Sequence, residues 1–226
     1  MNPRHGIRLS IALFVLAPAT HADDLGGHMQ AQYDAIVRIQ SAVIAGSLDA
    51  TREPAEWLVS KPSPAGLPDG AEAYMDEMRA AASQLLEAGD LSAAAGATAR
   101  LGMSCGSCHL ANDAAVDFET PARPSNKEKT GPHMDRHQWA ADRMWEGLVG
   151  PSDPAWSRGG NILFEAPLRG KAIGNDDATV QMARRIHQLA ANATTVSELS
   201  EKAEIYGEFL ANCAASHQTL GDGPKR

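Results

Sequence analysis

A segment that begins His28-Met29 returns 105 residues later as His133-Met134, and the return stays in register. Arg38 matches Arg143, Ile39 matches Met144, Val43 matches Leu148 and Ile44 matches Val149. Further on, Ala50 meets Ala155, Leu58 meets Leu163 and Pro62 meets Pro167. The two copies also end alike, the first in Cys105-Gly106-Ser107-Cys108-His109 and the second in Cys213-Ala214-Ala215-Ser216-His217. A chain of 226 residues has the length for one large domain or two small ones, and the repeat decides for two copies of one unit.

Each copy reads as four helices. Met29, Tyr33, Ile36, Val43 and Ile44 recur at helical spacing. Asp49 or Thr51, with Pro54, opens a short second helix around Trp57. Asp69 is the expected cap of a third, whose apolar face carries Tyr74, Met78, Ala81, Ala82 and Leu85. Gly89-Asp90 interrupts the chain before a fourth helix with Leu91, Ala94, Ala95, Leu101, Cys105 and Cys108. In the second copy, Ser152-Asp153-Pro154 starts the second helix and Asn175 or Asp176 the third. The fourth shows Leu199, Ala203, Tyr206, Leu210, Cys213 and His217, three or four apart. No useful stretch alternates with period two, so an all-α fold without a sheet is expected. The expected organisation is a leader over 1–22, a four-helix bundle over 23–111, a linker over 112–130 and a second bundle over 131–226. The linker is drawn where Pro, Lys and polar residues gather, as in Thr120-Pro121 and Arg123-Pro124.

The end of the first copy carries the chemistry. Cys-x-x-Cys-His is the attachment sequence for a c-type haem. Cys105 and Cys108 are spaced to add to the two vinyl groups as thioethers, and the His109 imidazole is placed to ligate the iron. A thioredoxin-type pair normally opens a helix after a strand, whereas this pair closes a helix with no strand nearby. A zinc site lacks a fourth ligand, and adjacent Cys108 and His109 suit tetrahedral closure poorly. His187 reads as a partly exposed helix residue, and the Asn192-Ala193-Thr194 sequon as coincidence.

In an up-down-up-down bundle the end of helix four lies beside the start of helix one. That brings His28 and Met29 towards the first motif, and His133, Met134 and His137 towards the second. Met29 is thus a candidate distal iron ligand, against the ordinary reading of a core methionine. Met134 is its counterpart in the second copy. With no distal ligand the iron is five-coordinate and open to small gases.

The N-terminus supplies a compartment. Arg4 and Arg8 precede the apolar run Leu9 to Leu16, and Thr20-His21-Ala22 offers a small-residue cleavage site. This pattern is that of a cleaved secretory signal peptide, with a run too short to span a bilayer. A periplasmic location follows, with no membrane insertion. The chain carries a net charge of −8, and loss of residues 1–22 takes away two arginines and makes it −10. Such a surface argues against nucleic acid and suits a redox partner with a basic docking patch. Of three cysteines only Cys213 lies outside the motif, so no disulfide framework is expected.

A four-helix bundle ending in Cys105, Cys108 and His109 resembles the class II c-type cytochromes, cytochrome c-prime and cytochrome c-556. The likeness covers residues 26–110 and 131–218. It implies two thioethers, His109 as proximal ligand, and Met29 as distal ligand if the chain follows the low-spin members. It also implies a homodimer formed through the first two helices. The chain departs from the family in having two bundles in tandem and in Ser216, which cannot form a thioether. Three readings of the second copy follow: a haem held by Cys213 alone with His217 on the iron, a haem bound without a covalent link, or no haem. An empty or incompletely loaded site is favoured, with Trp139, Trp145, Trp156 and Phe209 available to close the space. The expected function is a periplasmic electron carrier holding one haem c, a second remaining open. The rival is a protein that binds nitric oxide or carbon monoxide on a five-coordinate haem. An enzyme such as a peroxidase ranks last, because no distal Arg/His pair can be assigned.

Overall fold

The computed structural model describes residues 21–124, 130–165 and 177–220, which form eight helices and no strand. The helices are α1 His21–Ile44, α2 Asp49–Ser60, α3 Ala71–Leu86, α4 Leu91–Ala111, α5 Thr130–Val149, α6 Asp153–Glu165, α7 Asp177–Ala193 and α8 Leu199–Leu220. The expected leader lies outside the described residues except for its last two positions, which begin α1. The expected start of the seventh helix at Asn175 or Asp176 also lies outside them. Among the described residues, no helix is long and apolar enough to cross a membrane.

Side-chain caps open two of the helices. The Asp90 carboxylate accepts from the Ala93 N–H at 2.8 Å and caps α4. Ser152 does the same for α6 through the Ala155 N–H. Two expectations shift. Asp69 does not cap α3; the position before that helix is Gly70 at φ 82°, a left-handed conformation that favours glycine. Pro54 sits inside α2 rather than in its first turn, buried, where it leaves the Ala50 carbonyl without a helical donor.

In the first copy α1 packs on α2 and α4, α2 on α3, and α3 on α4. The second copy repeats this, with α5 on α6 and α8, α6 on α7, and α7 on α8. The most extensive contact of all joins the copies, between α4 and α8, and α4 also meets α5 while α1 meets α8. Small side chains allow the α4–α8 approach: a Cβ on Gly207 would touch Ala99 and Gly96 at 3.4 Å. One cluster of buried side chains therefore runs through both copies. At its centre the buried Tyr206 hydroxyl accepts from Gln40 of α1 at 2.6 Å and donates to the Ala141 carbonyl of α5 at 3.1 Å. The Trp145 ring stacks on Tyr206 at 5.5 Å.

Candidate functional site

The motif occupies the last turns of α4, and the chain reverses immediately after it. Asp113 adopts φ 49°, the Ala114 N–H donates to the His109 carbonyl at 2.9 Å, and the Asp113 N–H donates to the Leu110 carbonyl. This is a Schellman closure of the helix. The Asn112 amide donates to the Cys108 carbonyl at 2.8 Å and lies 3.7 Å from its sulfur. The reversed chain, drawn in sequence as a linker, runs back across the site. Val116 and Phe118 are half-buried while their neighbours are exposed, and Phe118 rests on Tyr33 at 5.4 Å. Farther along, the Pro121 carbonyl accepts from the Trp139 indole at 3.1 Å, and Arg123 pairs with Glu165 at 3.0 Å.

A cavity of about 390 Å³ lies beneath this cover, within the range of small-molecule and cofactor sites. Cys105, Cys108 and His109 line it from α4. Met29, Tyr33 and Ile36 line it from α1, and Met75 and Met78 from α3. Val149, the last residue of α5, closes one edge from the second copy. The structure thus brings the thiols, the imidazole and Met29 to one apolar space. His28 does not line it; its ring lies 3.0 Å from the Gln32 amide one turn along α1.

The histidine is oriented. His109 Nδ1 lies 2.8 Å from the Val149 carbonyl. A carbonyl only accepts, so Nδ1 carries a proton, and in the neutral ring the lone pair is then on Nε2, the state an iron ligand needs. Both thiols are free. Burial pushes Cys105 up to about 12, with Cys108 adding to the rise, and burial also raises Cys108 against the opposing Asn112 hydrogen bond. A redox-active pair at a helix N-terminus has its thiol shifted the other way. Among the described residues no group of three or more His, Cys, Asp or Glu could hold a bare metal ion. The donor set fits a group that brings its own equatorial ligands, takes two thioethers and needs one axial nitrogen.

In the second copy, Cys213 is free and half-buried, its thiol pushed up to about 12 by desolvation. His217 Nδ1 bonds the Ile44 carbonyl, the repeat equivalent of Val149. Met134 is half-buried on α5 and His137 is buried there; His133 lies in the same helix. Trp139, Trp145, Trp156 and Phe209 are all buried, but they do different work. Trp145 and Phe209 flank Tyr206, Trp156 donates to the Ala193 carbonyl at 2.8 Å, and Trp139 holds the cover through Pro121. His187 is half-exposed and stacks on Phe164 at 4.7 Å.

Sequence reasoning missed Val149 and the 114–118 cover. The Asn112-Asp113 pair, a turn-forming dipeptide directly after the motif, was the one signal of the reversal; a main-chain acceptor such as the Val149 carbonyl has no signature. No protein-family model matches this chain, and no curated protein and no solved structure matches it either.

Proposed function

We propose that this chain is a periplasmic c-type cytochrome of two tandem four-helix bundles, similar to cytochrome c-prime, that transfers electrons through one haem c. The observation that carries this reading is that Cys105, Cys108, His109 and Met29 line one and the same apolar cavity. When bound, the haem supplies a one-electron ferric/ferrous couple. The protein's own residues do the rest. Cys105 and Cys108 supply the two sulfurs, and His109 presents Nε2 while the Val149 carbonyl holds the Nδ1 proton. Met29 is the distal ligand candidate, and an axial methionine raises the reduction potential. Ile36, Met75 and Met78 keep water from the site, and Val116 and Phe118 cover it. The net charge of −10 on the mature chain favours redox partners with a basic docking surface.

The test is intact mass together with a pyridine haemochrome spectrum on periplasmic protein. One covalent haem per chain is expected, and none in Cys105→Ser with Cys108→Ser. A wild-type chain without covalent haem would sink the proposal. The native spectrum then separates electron carrier from gas binder: a methionine–iron band marks the first, a high-spin spectrum the second.

A further inference from the structure

We propose that the second copy completes the haem site of the first by positioning His109, so that the site is composite. This rests on the haem reading above. The contact is the hydrogen bond from His109 Nδ1 to the Val149 carbonyl at 2.8 Å. Val149 ends α5, and a helix leaves its last four carbonyls without helical donors. The carbonyl is therefore free to accept from outside its own helix.

Two glycines of α4, one turn apart, let the end of α5 reach the motif. A Cβ on Gly106 would lie 2.1 Å from the Leu148 carbonyl oxygen, and one on Gly102 would lie 2.6 Å from the Trp145 ring. Gly106 is the first residue between the two cysteines, so the seat for the second copy is built into the attachment sequence itself. The next residue of α5's exit holds the cover: a Cβ on Gly150 would lie 2.6 Å from the Phe118 ring. The bond from His217 to Ile44, at the repeat-equivalent positions, shows the arrangement to be reciprocal. Each copy orients the other's motif histidine with the last carbonyl of its first helix.

A carbonyl on the far nitrogen fixes the tautomer and ring direction of a ligating histidine and makes the ligating nitrogen more basic. Val149 is thus a positioning residue. Releasing its carbonyl weakens donation to iron and raises the reduction potential.

The experiment compares the full chain with Gly106→Ala, and with Ser107→Ala as the control inside the same motif. The first readout is the ring ¹⁵N and N–H spectrum of His109, taken in the Cys105→Ser, Cys108→Ser background so that no covalent haem is required. A protected Nδ1–H is expected in that background and its loss on adding Gly106→Ala. The second readout is the midpoint potential of the haem-loaded proteins, which should rise in Gly106→Ala and stay in place in Ser107→Ala. An unprotected Nδ1, or the Nε2–H tautomer, in the background protein overturns the proposal, whether or not Gly106→Ala folds. So does a Gly106→Ala protein that keeps both the protected proton and the wild-type potential. If the wild-type chain carries no haem, the functional reading fails separately, and the ring spectrum still decides the His109–Val149 contact.

Discussion

The first helix of each copy carries an arginine at the same repeat position, and the two have opposite fates. Arg38 of α1 pairs with Glu53 at 2.7 Å on the surface, the side chains 54% and 72% exposed. Arg143 of α5 pairs with Glu146, with exposures of 4% and 8%. Each helix has three helical neighbours, but the residue three along from the arginine is Ser41 in α1 and Glu146 in α5, and α5 is buried almost without a break from Arg136 to Val149 whereas α1 mixes buried with exposed positions. Burial raises Glu146 to about 7, against the pull of Arg143. It also raises Tyr33, a cavity wall, to about 12, with Glu146 and Asp142 adding to the rise. One duplicated helix has become a wall of the site, and the other a buried support with a charged pair behind that wall. The two motif ends also differ, since their histidines are held alike while Ser216 stands where the first motif has Cys108.

The largest expected effect concerns this asymmetry of the thiols: Cys105→Ser with Cys108→Ser should remove all covalent haem, which the other copy's cysteine does not replace. Cys213→Ser should leave the haem count at one per chain by intact mass; a loss of haem would show the second copy to be loaded and the two ends to be equivalent. Next, Met29→Ala should abolish a methionine–iron absorption band while Met134→Ala leaves it. An effect of Met134→Ala on that band would contradict the assignment of the two first helices. Arg143→Ala strands Glu146 in the interior and should cost about 3–5 kcal/mol. Arg38→Ala should cost about 0–1 kcal/mol. Urea unfolding at pH 8, above the value of about 7 that Glu146 has in the intact pair, measures both, and equal costs would break the comparison.

The smallest effect is on pH dependence. An unfolded glutamate loses its proton near 4.5, whereas Glu146 in the fold holds its proton to about 7. Between those values the folded chain binds more protons than the unfolded one, so this group's contribution makes stability fall as pH rises across the window. Glu146→Gln should flatten the profile there, and an unchanged slope in urea titrations from pH 4.5 to 7 would remove Glu146 as its source.

Much of the fold was legible because helices advertise themselves. The stripe from Met29 to Ile44, the interruption at Gly89-Asp90 and the helix start at Ser152-Asp153-Pro154 all follow from short-range spacing and residue type, and the structure contains them, with Asp90 and Ser152 acting as caps. Pro54 and Asp69 misled for the same reason that caps are hard to read: several residues near a helix start can fill the role. At Gly70 the left-handed backbone took the position that Asp69 was expected to hold. The candidate site was legible where chemistry needs particular side chains, at Cys105, Cys108 and His109, and at Met29 through bundle geometry. It was not legible where the partner is main chain, or where the apolar residues Val116 and Phe118, inside a stretch drawn as a linker, are used as a cover.

By itself, then, the sequence determined the repeated helical pattern, the Cys-x-x-Cys-His motif at the end of α4 and the serine that stands in place of a second cysteine in the other copy. These depend on residue type and on spacing along one helix. Only the tertiary structure decided that Arg143 is buried and Arg38 is not, that residues 114–118 close the cavity, and that His109 is held by a carbonyl 40 positions away in the chain. Those outcomes depend on which helix faces meet: Gly106 admits the backbone of α5 where a Cβ would lie 2.1 Å from the Leu148 carbonyl oxygen, and Gly102 leaves room for the Trp145 ring.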